Sequence, residues 1–90
     1  MSNDRARMKV RLNGVFREVF DDETIEIFEE MTAKDIEGWD SLTHIVLVVA
    51  VEKEFKVTLN AAEVGALKNV GEMLDILEGR TKLASSLASP

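Results

Sequence analysis

Ninety residues of about 10 kDa, 46% apolar and 31% charged, suffice for one small domain with a hydrophobic core and leave no room for two. A net charge of −6 argues against phosphate-tracking grooves and anionic membrane surfaces and points to basic partners. The absence of cysteine excludes disulfides, thiolate metal ligands and any thiol nucleophile of the chain's own.

The charge is unevenly spread. Residues 1–17 are net +4, residues 18–40 net −9 and residues 41–90 net −1, so the acidity forms a block that ends just before Ser41. No apolar run approaches the roughly 20 residues that cross a bilayer, and the N-terminus lacks the apolar stretch of a secretion signal. A cytoplasmic protein without membrane insertion is the expectation.

In chain order, Met8, Leu12, Val15, Phe16, Val19 and Phe20 fall on one face of a first helix. Residues 21–40 lose this period and fill with acids, predicting a long loop in which Ile25, Ile27, Phe28, Met31, Ile36 and Trp39 act as pins into the core. Thr32 and Asp35 are placed to cap a short turn. Ser41 to Phe55 contains seven consecutive apolar residues, Ile45 to Val51, mostly β-branched, which local propensity would assign to a strand. A cap at Asp40 or Ser41, the extension through Glu52 to Phe55 and the lack of a following hairpin turn predict a helix instead. Apolar side chains nearly encircle that helix, so one face is left over for something outside the core.

Asn60 with Glu63 marks a short third helix through Leu67, and Asn69 with Glu72 marks a fourth that ends near Gly79, with Val70, Met73, Leu74 and Leu77 as its core stripe. Residues 80–90 show no convincing period and are expected to form a flexible tail. The expectation is therefore an all-α four-helix bundle with a long first loop and a short third helix, occupying residues 1–79.

Chemistry is sparse. One histidine and no cysteine make zinc improbable, and the acidic block lacks the order of a calcium loop, so no metal is expected. Asp40, Ser41 and His44 supply the letters of a hydrolytic triad, but Asp40 adjoins the serine and no nucleophile elbow or oxyanion loop accompanies them. His44 reads as a polar residue on the exposed rim of the helix or as a partner contact. Ser41 stands between the acidic loop and a helix N-terminus, whose amides and dipole favour a phosphate; a plain capping serine is the competing reading.

Gly38-Trp39-Asp40-Ser41-Leu42-Thr43-His44-Ile45, followed by a helix closing on Glu54-Phe55 and by Leu67 to Gly71 opening the last helix, resembles the acyl carrier proteins over roughly residues 8–79. The resemblance implies a carrier rather than an enzyme, with Ser41 receiving 4'-phosphopantetheine from coenzyme A through a separate phosphopantetheinyl transferase. Asp40 would flank the attachment point, and Leu42 would anchor the start of the helix that partners read. The arm would supply the missing thiol and present an acyl thioester to acyl-loading and acyl-processing enzymes.

Fatty-acid-synthesis carriers usually place acids where this chain has Thr43 and Val46. The partner face, Thr43, His44, Ile45, Val46 and Val49, is thus expected to be read through shape and apolar surface. Peptidyl carriers more often have His or Gly near the serine than Trp39-Asp40, which favours acyl cargo. The motif is similar to stand-alone bacterial carriers of specialised pathways, such as secondary metabolism or surface-glycan modification. A monomer is expected, and Val48, Val51, Val64 and Leu67 are expected to line a cleft between the second and third helices. The alternative is an unmodified acidic helical adaptor that docks a partner through Ile45, Val46 and Val49.

Overall fold

The structure, a computed structural model, describes the backbone of residues 4–88 and the side chains of residues 5–80. Four α-helices and no strand are found among the described residues: α1, Asp4–Val19; α2, Ser41–Phe55; α3, Ala61–Ala66; and α4, Val70–Ala88. A 3-10 turn, Ala33–Asp35, interrupts the loop between α1 and α2. No helix is long and apolar enough to cross a membrane among the described residues.

The core forms where three apolar stripes meet. Met8, Leu12, Val15 and Phe16 of α1 are buried against Leu47, Val51 and Phe55 of α2 and Val70, Met73, Leu74 and Leu77 of α4. Val19 and Phe20 pack at the margin. The buried set in α2, Leu47, Val48, Val51 and Phe55, recurs at helical spacing that a strand could not direct to one side. The β-branched run is helical because that face meets the core and both ends are closed. Asp40 caps the start, and Lys56 in the left-handed region (φ 56°) donates its amide to the Glu52 carbonyl at the end.

The long loop is pinned as its sequence suggests, with Ile25, Ile27, Met31 and Ile36 buried; Phe28 instead remains 43% exposed. Polar ties complete the pinning. Asn13 of α1 donates to the Ile25 carbonyl and accepts from the Ile27 amide, while Arg17 Nε donates to the same Ile25 carbonyl at 2.7 Å. Further on, the Met31 and Glu29 carbonyls accept from the Val70 and Gly71 amides, satisfying the otherwise unpaired start of α4. Gly71 lets the loop approach closely, since a Cβ there would stand 3.1 Å from the Glu29 carbonyl oxygen and would push it back by a few tenths of an ångström.

Thr32 and Asp35 form the expected capping box, as do Asn60 and Glu63. At α4, Asn69 accepts from the Glu72 amide, but the Glu72 carboxylate returns to the Lys68 amide, one residue earlier than a capping box would place it. Two boundaries differ from expectation. α1 begins at Asp4, ahead of its apolar pattern, because Arg5 is drawn into pairs with Glu29, Asp75 and Glu78. α4 runs past Gly79 to Ala88, through residues that are mostly good helix formers. Residues 89 and 90 of the expected tail lie outside the described residues.

Candidate functional site

The junction of loop and α2 is built by Gly38, Asp40 and Thr43. Gly38 takes a left-handed turn (φ 89°) that brings the chain back to the head of the helix. Asp40 then accepts from the Leu42 and Thr43 amides at 3.0 and 2.9 Å. Thr43 Oγ1 answers by accepting from the Asp40 amide at 2.8 Å and donating to the Gly38 carbonyl at 2.6 Å. The Thr43 amide foremost, with the Leu42 amide, holds the Asp40 carboxyl below the ordinary carboxylate range, so the cap stays ionised.

This cap decides the status of Ser41. Asp40 performs the capping that a serine could have performed, which leaves Ser41 at the first helical position, exposed, its hydroxyl without a hydrogen bond among the described residues. The plain capping reading of Ser41 is thereby excluded. The same cap corrects a second expectation: the Leu42 and Thr43 amides are already taken, so they are not open to a phosphate on Ser41.

The other residues of the motif divide into two groups. Leu42, Ile45, Val46 and Val49 are 73%, 55%, 50% and 45% exposed and form one outward stripe at helical spacing. Leu42 therefore anchors nothing inside the bundle. Thr43 and His44 turn inward and are only partly exposed. His44 Nδ1 accepts from Trp39 Nε1 at 3.1 Å, its Nε2 lies 3.1 Å from the Val64 carbonyl oxygen, and the imidazole and indole planes are nearly parallel, 19° apart, with ring centres separated by 6.1 Å. The exposed-rim reading of His44 does not hold, because a half-buried indole N–H needs an acceptor and this ring is the one it finds. With both nitrogens engaged elsewhere, His44 is no base for Ser41, and the triad letters form no triad.

A cleft of about 760 Å³ opens beside Ser41 between α2 and α3. Trp39, Asp40, Ser41 and His44 stand at its mouth; Ile45, Val48, Val49, Leu59, Val64 and Leu67 line it. Val51, expected here, is wholly buried in the core instead. The α3 wall buries no side chain of its own and is held largely by polar ties. Glu52 accepts from the Leu59 amide at 2.7 Å, and Arg80 bonds the Thr58 carbonyl and the Glu63 carboxylate. The Asn60 amide foremost, with Arg80, holds Glu63 below the usual carboxylate range.

Two bases of the N-terminal segment, Arg5 and Arg11, are paired within the fold, and no local signal in the sequence announces those pairs. Arg5 reaches Glu29, Asp75, Glu78 and the Gly71 carbonyl, and these pairs raise its pKa. Arg11 pairs with Glu54 and lies over the Phe55 ring at 4.6 Å. Among the described residues, no cluster of His and carboxylates is arranged to hold a metal ion.

No protein-family model matches the sequence, and no curated protein matches it. Among solved structures, the NMR structure of a holo acyl carrier protein from Geobacter metallireducens is similar. It has a TM-score of 0.79 and 37% identity, over 92% of this chain and 93% of that one. With that identity over nearly the whole length of both proteins, and with the same fold, this chain belongs to the acyl carrier protein family, whose members carry groups and do not act as enzymes.

Proposed function

We propose that Ser41 is the attachment point of 4'-phosphopantetheine and that the chain holds an acyl group as a thioester on that arm for partner enzymes. The carrying observation is the division of labour at the α2 start: Asp40 caps the helix, and Ser41 presents an exposed, uncommitted hydroxyl at the mouth of the cleft. The residues present fit the group. Ser41 Oγ can attack the coenzyme A phosphorus that bears the pantetheine while a base of the transferase takes its proton, the P–O–P bridge breaks and adenosine 3',5'-bisphosphate departs. When attached, the arm supplies the thiol that this cysteine-free chain lacks. The apolar walls Val48, Leu59, Val64 and Leu67 offer shelter from water to a chain leaving Ser41. That the similar Geobacter protein was solved in its holo form supports the same reading.

The transferase and the acyl-loading and acyl-processing enzymes are proposed to dock on Leu42, Ile45, Val46 and Val49. No acid stands in the first turn of α2, so this contact depends on apolar burial more than on ion pairs. A cytoplasmic setting and a specialised biosynthetic pathway complete the proposal. Incubating the purified chain with coenzyme A and a broad-range transferase should add one phosphopantetheine mass, and Ser41→Ala should add none. A Ser41→Ala chain that still gains the mass would sink the assignment. A wild-type chain that gains none, yet binds partners undiminished by Ser41→Ala, would favour the adaptor reading.

A further inference from the structure

His44 is the chain's single histidine and Trp39 its single tryptophan, and the two are joined at the cleft mouth. An indole nitrogen donates only, so the nitrogen that faces it at 3.1 Å, Nδ1, must be bare. The ring is then neutral, with its proton on Nε2 and donated to the Val64 carbonyl. One α2 side chain thus ties together both lips of the cleft, the loop at Trp39 and α3 at Val64. Trp39 is seated edge-on against Phe16, with ring centres 5.3 Å apart, and against Phe20 at 6.0 Å, so this tie joins the α1 core to α3.

We infer that His44 is a pH-sensitive latch that positions Trp39 and sets the width of the cleft mouth beside Ser41. A second proton on the ring goes to Nδ1, where it faces the indole N–H. Neither group can then accept, so that bond is lost, while the Nε2–H bond to Val64 carries over. Acid therefore frees the loop lip from α2 and leaves α3 attached.

The charged groups that line the cleft with the ring are Asp40, Glu52 and Lys68, and Glu63 precedes Val64 in α3. Asp40 is bound to the α2 amides, Glu52 to the Leu59 amide, and Glu63 to the Asn60 amide and Arg80. None of these acids bonds the ring in place of the indole, and Lys68 cannot accept. The consequence for a chain attached at Ser41 rests on the function proposed above; the latch rests on the ring geometry alone.

Acrylamide quenching of Trp39 in the full-length chain tests the latch, because a neutral quencher reports access to the indole. The quenching constant should rise on acidification, in step with the arrival of the second proton on the imidazole as read from the ring's own NMR signals. His44→Asn, whose side-chain carbonyl can replace Nδ1 as acceptor and cannot titrate, should hold the low value throughout. His44→Leu, whose side chain has no acceptor, should hold the high value throughout.

A wild-type constant that stays flat overturns the proposal, as does a His44→Asn protein that titrates like the wild type. Nitrogen NMR of the wild-type imidazole at pH 8 needs no variant: a proton found on Nδ1 overturns the latch. A Ser41→Ala chain that still accepted phosphopantetheine would remove the attachment reading and leave this titration standing. A flat titration would do the reverse.

Discussion

Replacing Thr43 by valine keeps the shape and β-branching of the side chain and removes only its hydroxyl. Two hydrogen bonds disappear, one accepted from the Asp40 amide at 2.8 Å and one donated to the Gly38 carbonyl at 2.6 Å. Intramolecular hydrogen bonds contribute a net of roughly 0.5–1.5 kcal/mol each, and water can reach both freed groups at this surface junction, so the loss should be about 1–2 kcal/mol. Threonine and valine have similar helix propensities, so the helix term nearly cancels. For a domain of this size about 1 kcal/mol corresponds to roughly 4–8 °C in Tm, which places the expected fall at roughly 5–15 °C. Thermal unfolding followed by far-UV circular dichroism reads it directly, and Thr43→Ser, which restores the hydroxyl, should recover most of the loss. If Thr43→Val melted with the wild type, or Thr43→Ser fell equally far, the hydroxyl would not be the clasp at the head of α2.

Leu77→Ala empties a wholly buried site in the core stripe of α4 and should cost roughly 2–5 kcal/mol, read as a lower urea midpoint with an unchanged m-value. Glu29, Asp40 and Glu63 all have depressed pKa values, held respectively by Arg5, by the Thr43 amide and by the Asn60 amide. Their folded-state values lie below their unfolded ones, so the stability they contribute is complete above the ordinary carboxylate range and is lost as pH falls through it. Tm should therefore drop on acidification below about pH 4.5, and Glu29→Gln should flatten part of that drop. Val46→Asp places a charge on a half-exposed position outside the core, so Tm should stay near the wild-type value. Affinity for the transferase should fall about tenfold or more, as measured by titration calorimetry.

Much of the bundle was legible because its signals are local. The α4 stripe of Val70, Met73, Leu74 and Leu77 and the boxes Thr32/Asp35 and Asn60/Glu63 each lie within a turn or two of helix, where spacing alone places a side chain. The buried pins Ile25, Ile27, Met31 and Ile36 stood out against an acidic background, although spacing could not tell that Phe28 would stay outside. At the site, Asp40 and Ser41 were both competent caps, and only the geometry of the Gly38 turn shows the aspartate in that role and the serine left free.

His44 reads as an outward residue from sequence because its partner on α3 is settled by tertiary structure, whereas Thr43 is held locally by Asp40 and Gly38. The Val64 carbonyl is twenty residues beyond His44 in sequence. The partly buried Trp39 five residues earlier was the one available hint, since its N–H had to find an acceptor. The same holds for Arg5, whose acids lie in the loop and in α4. The acidity concentrated before Ser41 describes the approach to the site, while the exposed stripe at the site is apolar.

Whether Ser41 carries the arm is decided by intact-mass and fragment analysis of the protein recovered from the cells that make it. A single phosphopantetheine should sit on the peptide that contains Ser41, with a fraction of molecules bearing a further acyl mass that hydroxylamine removes as a thioester. An arm on any other residue, or a Ser41 left bare in cells whose other carriers are modified, would contradict it.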